Sequence, residues 1–259
     1  MTFDYEWFKQ KVYSMTQIDL NAYKERQMKR RIDTLIAKNK YSGYDTYVAG
    51  LTQDQSLFEE FVNYLTINVS EFYRNPEQWR LLTDEVYPML MERFGKQLKI
   101  WSAACSTGDE PYSLVMSLSR YIPINQIRIF ATDIDKQVLA KAKVGLYTGK
   151  SIEAVPDIYK AKYFQRVGSS EQISEEVKRC VEFKQHNLLK DTYPTNCHLI
   201  VCRNVLIYFT EEAKEEIFKR FYEALCPGGI LFIGSTEQIV NYKEIGFIRN
   251  SSFFYQKPL

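Results

Sequence analysis

Four short apolar runs constrain this chain most: "QLKIWSA" (97–103), "QIRIFATD" (126–133), "CHLIVCRNV" (197–205) and "GGILFIGS" (228–235). Each has the length of a buried strand, and helical stretches separate them, which is the βαβ rhythm of a mostly parallel sheet covered by helices on both faces. "CPGGILFIG" (226–234) predicts a Pro-Gly-Gly turn just before the last of these strands. The terminal "FIRNSSFFYQK" (247–257) predicts a final strand, antiparallel at the sheet edge. Between 151 and 183 the pattern is less regular and predicts an excursion from the sheet.

Ahead of this region, up to about residue 90, the periodicity is helical. Tyr5, Phe8, Val12 and Met15 recur at helical spacing, as do Met28, Ile32, Leu35 and Ile36. Ser42 is placed to cap a helix through Tyr44 and Tyr47, and a further helix runs through Leu57, Phe58, Phe61 and Leu65. Asn75-Pro76 restarts the chain, with Asn at a cap, Pro at the first helical position and Gln78 at the third. The expected organisation is an N-terminal helical domain with its linker over 1–75, then an α/β domain over 76–259 that carries the excursion at about 151–183.

With 259 residues, 45% of them hydrophobic, the chain can bury one large core, or one core and a smaller satellite. Lys+Arg 34 against Asp+Glu 32 leaves a net charge of +2, too balanced for wholesale coating of nucleic acid. Five cysteines without CxxC spacing and two histidines argue against a Cys/His zinc site. No run approaches the roughly 18 apolar residues of a membrane span, and "MTFDYEWFKQ" lacks the core of a signal peptide. The expectation is a reduced, cytoplasmic protein with no membrane insertion.

After the first strand run the chain reads "WSAACSTGDEPYSL" (101–114), the position of a phosphate-binding turn, yet Gly108 is followed by Asp109 and Glu110. Carboxylates beside such a turn oppose an anion. Acids are also common in the first turn of purely structural helices. A ligand suited to the turn carries positive charge and hydroxyls, and S-adenosylmethionine, with its sulfonium, ammonium and ribose diol, fits. Asp133 ends the second strand run, where an acid commonly accepts hydrogen bonds from ribose hydroxyls. Asp135 suits the cap of the following helix better than Asp133 does. No GxxxxGK[ST] and no GxSxG occurs, and "CRNVLIYF" (202–209) stands where amine-directed methyltransferases carry Asn/Asp-Pro-Pro-aromatic.

"LTINVSEFYRN" (65–75), "WSAACSTGDEPYSL", "ATDID" (131–135), "HNLL" (186–189) and "CRNVLIYF", in this order and spacing, resemble the bacterial chemotaxis receptor methyltransferases of the CheR family. The likeness spans nearly the whole chain. It implies a class I S-adenosylmethionine-dependent methyltransferase fold, Rossmann-like with a mostly parallel sheet, behind an all-helical N-terminal domain. The implied activity is methyl transfer to glutamate side chains of methyl-accepting chemoreceptors, giving γ-methyl esters, with S-adenosylhomocysteine as product and no metal. Cofactor contacts implied by the resemblance are Asn68, Ser70, Arg74, Glu110, Asp133, Asn187, Leu188, Arg203 and Asn204. Arg74 and Tyr208 are the implied residues at the transfer site, with Arg74 open to holding either the cofactor carboxylate or the incoming glutamate. Asp109-Glu110 stands where many relatives have Glu-Glu.

"KERQMKRR" (24–31) carries Lys24, Arg26, Lys29, Arg30 and Arg31 with Glu25 as its single acid. Such a run is either a solvated face or, with Lys24, Lys29, Arg30 and Arg31, a surface complementary to the Glu-rich methylation helices of a receptor. The resemblance further implies a monomer recruited to receptor arrays. Some relatives dock a receptor pentapeptide on the excursion, but here 166–183 is short and polar, which favours recognition without it. Two other readings use the same features: an RNA methyltransferase with the basic helix on phosphates, and a non-catalytic module that senses S-adenosylmethionine.

Overall fold

The computed structural model describes residues 3–259, and the chain divides into two compact units, one of residues up to Asn68 with Tyr208–Glu215, the other of Val69–Ile207 with Glu216–Leu259. The first unit contains α1 (Tyr5–Thr16), α2 (Glu25–Lys38), α3 (Tyr44–Gln53) and α4 (Gln55–Thr66). Their apolar stripes are those the spacing predicts: Phe8 and Val12 on α1, Met28, Ile32, Leu35 and Ile36 on α2, and Leu57, Phe61 and Leu65 on α4 are buried. Phe61 sits at the centre, edge-on to Phe8 and to Tyr47. The start of α3 differs from expectation. Gly43, and not Ser42, holds the cap position, and the Thr46 hydroxyl accepts its N–H at 3.3 Å.

In the second unit α5 (Pro76–Leu81) and α6 (Tyr87–Phe94) are joined by a π-helical turn over Leu82–Val86. A seven-stranded sheet follows. Its strands are β1 (Ile100–Ala103), β2 (Ile129–Asp133), β6 (Val181–Gln185), β7 (Cys197–Cys202), β8 (Leu225–Ile233), β9 (Ile248–Arg249) and β10 (Phe254–Gln256), and its order is β6-β2-β1-β7-β8-β10-β9. All neighbours from β6 to β8 are parallel, and β10 and β9 close the edge antiparallel. A smaller sheet is built from β3 (Leu146–Thr148), β5 (Ser170–Ile173) and β4 (Phe164–Val167), all antiparallel. Among the described residues no helix is long and apolar enough to cross a membrane.

The four apolar runs are therefore β1, β2, β7 and β8, buried almost throughout because helices lie over parallel strands. Two features of this region depart from the sequence pattern. Pro227-Gly228-Gly229 is not a turn before β8 but lies inside it, at a register irregularity against β7. Gly228 has φ +81°, and a Cβ on Gly229 would lie 2.7 Å from the Cys197 carbonyl oxygen, so the strands close only over bare backbone there. The segment 151–183 contains β4, β5 and the first residues of β6. The sequence conceals β6 because an edge strand half open to solvent, "VEFKQ", carries no apolar run.

The π turn has a physical role in packing: Tyr87, at the start of α6, is fully buried and its hydroxyl meets Ser117 Oγ at 3.0 Å. α7 (Asp109–Leu118) follows β1, and α8 (Lys136–Val144) follows β2. As the sequence indicates, Asp135 caps α8, accepting the Gln137 N–H at 2.8 Å.

Truncating the ring at the centre of the helical unit leaves a cavity that rigid helices cannot fill. Phe61→Ala is expected to lower the unfolding free energy by about 3–5 kcal/mol. The measurement is the urea midpoint at unchanged m-value, and an unshifted midpoint would remove Phe61 from that core.

Candidate functional site

In the second unit the carboxyl ends of β2, β1 and β7 lie side by side, because the strands are parallel, and each ends in a polar residue or leads straight into one. β2 ends in Asp133, 5% exposed. Its Oδ2 accepts the Ser106 N–H at 2.8 Å and its Oδ1 accepts the Asp135 N–H at 3.0 Å. The loop after β1 is thus tied to β2 by a carboxylate of the chain itself. Ala104 and Ser106 in that loop have positive φ, 61° and 48°, a conformation that can aim successive N–H groups at an anion. Here the Ser106 donor is already taken by Asp133, so the turn is not an open phosphate cradle.

Gly108 is the residue this turn requires. It has φ +89°, and a Cβ would lie 2.9 Å from Ala142 Cβ and 3.1 Å from the Tyr112 ring. Tyr147 closes the loop from outside, its hydroxyl donating to the Thr107 carbonyl at 2.7 Å. The two acids that follow differ in surroundings. Asp109 is buried, bonded by the Thr107 hydroxyl at 2.5 Å and by the Ser70 hydroxyl, and burial raises its carboxyl above the usual range. Glu110 lies at the foot of β1, where the Ser102 hydroxyl donates to its Oε1 at 2.8 Å. Burial pushes Glu110 up to about 7 against the opposing pull of Arg203 and Ser102. Burial likewise raises Asp133 to about 6, against the N–H groups that solvate it.

Arg203 follows β7 directly and is buried. Its Nη2 donates to the Arg74 carbonyl at 2.8 Å, Asn75 Oδ1 at 3.1 Å and Gln78 Oε1 at 2.6 Å. Its Nη1 is 3.8 Å from Glu110 Oε2, and its guanidinium lies 4.8 Å from the centre of the Phe232 ring. Burial lowers its affinity for the proton while Glu110 supports it. This network explains a local departure from expectation. Asn75 does hold the position before Pro76, but at φ 60° and without a side-chain cap bond. Its amide oxygen serves the buried guanidinium, an interaction that outweighs a cap worth about 1 kcal/mol.

Other residues singled out by sequence fall around the same edge. The His186 N–H donates to the Asp133 carbonyl at 2.9 Å, which places Asn187 and Leu188 directly beyond the β2–β6 pair. Asn187 Oδ1 accepts the Leu189 N–H at 2.9 Å, and the Leu188 carbonyl accepts the Tyr193 hydroxyl at 2.8 Å. Asn204 continues from Arg203 at φ 61°. Arg74 is one-third exposed and weakly tethered, its Nη1 3.4 Å from the Val69 carbonyl and its Nε 4.0 Å from Glu71.

Asn68 and Tyr208 belong to the helical unit. Asn68 Nδ2 donates to Asn63 Oδ1 and Thr66 Oγ1. The Tyr208 carbonyl accepts the Lys24 N–H at 2.9 Å, and a bridge pairs Tyr23 with Phe209. Tyr208 lines a groove with Lys24, Gln27, Arg30 and Arg31. The basic run is not one uniform face. Arg30 is exposed, whereas Arg31 turns inward, donating to the Tyr64 carbonyl at 2.7 Å with its guanidinium over the Tyr64 ring. Lys29 points elsewhere and pairs with Asp33 at 2.7 Å.

Ser102, Ser106 and Glu237 escaped the sequence reading, and Gln78 was read only as a helix-start residue and not as a partner of Arg203. A serine inside an apolar strand is a signal that could have found Ser102. An acid just past a strand end, in "GSTEQ" (234–238), could have found Glu237.

The residues fit a cationic, hydroxyl-bearing ligand. Two carboxylates, Asp133 and Glu110, face the strand ends, and two buried polar atoms there, Ser106 Oγ and Arg203 Nε, have no partner in the protein. Among the described residues no His/Cys/Asp/Glu group of three or more has the geometry to hold a metal ion.

Comparison with known proteins is consistent over nearly the whole chain. A family model described as CheR methyltransferase, SAM binding domain, matches residues 68–252, and one described as CheR methyltransferase, all-alpha domain, matches residues 4–66. A chemotaxis protein methyltransferase of Listeria innocua is 41% identical over 254 residues, covering 98% of this chain and 97% of that protein. Chemotaxis protein methyltransferase 2 of Vibrio cholerae is 32% identical, covering 98% and 91% respectively. A chemotaxis protein methyltransferase of Borreliella burgdorferi is 29% identical, covering 93% and 90%.

The raised carboxyl of Glu110 has a consequence for stability. Its folded value lies above its unfolded one, so the folded state holds a proton that the unfolded chain has lost between about pH 4.5 and 7. The stability this contributes is present below that window and is lost as pH rises through it. Glu110→Gln removes the effect. The stability of the natural protein relative to the variant is expected to fall from pH 5 to pH 7.5, read from urea midpoints. A constant difference across that range would show that Glu110 is not held protonated.

Proposed function

The chain belongs to the CheR methyltransferase family, and from that premise we propose that it methylates glutamate side chains on the helical cytoplasmic region of chemoreceptors, forming γ-methyl esters. The observation that carries the reading is the pair of carboxylates, buried Asp133 and partly buried Glu110, at the carboxyl edge of the parallel sheet, where phosphate chemistry is disfavoured and a cation with hydroxyls is favoured.

S-Adenosylmethionine, when bound, supplies a methyl group activated by a sulfonium. Asp133 is placed to accept hydrogen bonds from a ribose diol, and Glu110 to balance positive charge beside the strand ends. Asn187, Leu188, Arg203 and Asn204 surround this edge, with Ser70 acting through Asp109. Arg203 holds Glu110 and the 74–78 turn in register, which sets where Arg74 emerges. Arg74, partly exposed and loosely tethered, keeps a guanidinium fork available to a carboxylate.

No general base is required of the protein. A glutamate carboxylate, with an ordinary pKa near 4.3, is already ionised at neutral pH. The work left to the residues is alignment of two reactants and exclusion of water. In the helical unit the groove with Lys24, Arg30 and Tyr208 offers cations to an acidic helix. Arg31 and Lys29 serve that surface less directly, since each is engaged within the unit.

The deciding experiment is transfer of radiolabel from S-adenosylmethionine to receptor-containing membranes, with release of the label by mild alkali, which cleaves esters and leaves N-methyl groups intact. Label appearing in RNA, or in no acceptor at all, would refute the reading. Two variants sharpen it. Arg74→Ala is expected to abolish nearly all transfer, and Arg74→Lys to recover a minor fraction, because Lys restores charge without the fork. Equal activity of Lys and Arg would reduce the role to charge alone. Arg30→Glu is expected to slow receptor methylation at low salt, with the deficit shrinking as salt screens the interface. Its affinity for S-adenosylhomocysteine should be unchanged. Equal receptor methylation by Arg30→Glu and the natural protein at low salt would make this residue part of a solvated face.

A further inference from the structure

β7 and β8 stop pairing at Cys202 and Ile233. Beyond that point the two chains leave the sheet, one into Arg203 and Asn204, the other into Gly234, and their N–H groups lose the ladder. Glu237 folds back over this exit, its own N–H on the Gly234 carbonyl at 3.1 Å. Its Oε2 accepts the Asn204 N–H at 2.9 Å and the Gly234 N–H at 2.8 Å, and its Oε1 accepts the Leu206 N–H at 2.7 Å. The side chain is 4% exposed, and among the described residues no basic group lies within ion-pairing distance of it. A buried carboxylate without an ion-pair partner is tolerable only when N–H groups solvate it. Three do so here, drawn from both strand exits.

Gly234 is part of the same device. A Cβ there would lie 2.8 Å from Asn204 N, 2.8 Å from Glu237 Oε2 and 2.9 Å from Asn204 Nδ2. Only bare backbone lets the two exits approach under the carboxylate. Asn204 sits at φ 61°, a left-handed conformation that Asn tolerates and that the bond to its N–H holds in place.

We propose that Glu237 is a positioning residue for the transfer reaction: by binding the N–H groups of Asn204, Leu206 and Gly234 it fixes the loop that presents Arg203 and Asn204 to the cofactor. The inference rests on the cofactor reading given under Proposed function. Glu237 touches no group assigned there to the reacting atoms, so it acts through its neighbours. Only a carboxylate serves all three donors. Glutamine has one acceptor oxygen, so its NH2 must face either the Leu206 N–H or the Asn204 and Gly234 N–H groups.

The test measures S-adenosylhomocysteine binding by calorimetry, and the KM values for S-adenosylmethionine and for receptor, on folded full-length variants. Losing hydrogen bonds to a charged acceptor predicts that Glu237→Gln binds the product about tenfold more weakly or worse. The KM for S-adenosylmethionine should rise alongside while the KM for receptor stays level. In an Asn204→Gly background, which keeps the left-handed backbone and removes the presented side chain, the Glu237→Gln penalty should shrink, the mark of one residue acting through another. Should Glu237→Gln not fold, Gly234→Ala wedges the same contact and should show the same selective loss. Unchanged product affinity in a folded variant would overturn the proposal, as would equal penalties with and without Asn204→Gly. If the natural protein itself bound no S-adenosylhomocysteine, the cofactor reading would fall and this inference with it.

Discussion

A guanidinium taken out of water at the end of a strand sets the terms for the carboxyl edge of the sheet. The desolvation of such a charge costs several kcal/mol, and a Coulombic partner alone rarely offsets it. Arg203 meets this cost with one carboxylate at 3.8 Å, too far for a hydrogen bond, three oxygen acceptors at 2.6–3.1 Å on a single nitrogen, and an aromatic face. Those acceptors all come from residues 74–78. Holding the charge therefore fixes the turn that begins α5, and with it the backbone of Arg74. The same charge keeps Glu110 from neutralising completely in a site where burial alone would protonate it. Sheet, turn and acidic helix start are thus coupled through one side chain.

The carboxylates around it follow a common rule. Asp133, Asp109 and Glu237 are each surrounded by short-range donors, either backbone N–H groups or hydroxyls, and among the described residues have no ion-pair partner within reach. An acid held in this way is rigid, and it keeps the local potential negative without a cation to cancel it. A phosphate-binding turn spends its backbone donors on its ligand. This one spends them on its own acids and leaves acceptor capacity facing outward. The difference explains why a single glycine suffices at Gly108: backbone donors need not be exposed to a bulky anion, and what remains is the tight approach to Ala142 and Tyr112.

Much of this was legible in the sequence, and the exceptions have physical causes. Four parallel strands announced themselves because both their faces are buried, and the stripes of α1, α2 and α4 because one face is. Asp135 was legible as a cap because capping is local. β6 was not, since a solvated edge strand has no apolar excess. Asn75 looked like a cap for the same local reason that made Asp135 one. Its side chain answers instead to Arg203, 128 residues further along the chain. Arg31 was read with its neighbours as part of a charged face, yet helical geometry sends its guanidinium to the end of α4 while Arg30 stays in solvent. Local rules found elements and caps. Partners distant in sequence decided which polar residues serve structure and which remain available to a ligand.

That division bears on how a site crowded with acids would serve the acidic substrate proposed for it. In the proposed reaction the nucleophile is a carboxylate, so any acid of the protein left loose near the reacting atoms would compete for the methyl group. Asp133, with both oxygens engaged by backbone N–H groups, is poorly placed to attack, and Glu110 is restrained by Ser102 and Arg203. In the proposed reaction the hydrogen bonds that keep these acids in place would thus also keep them from being alkylated. An enzyme that esterifies carboxylates can be lined with them only if its own are satisfied first.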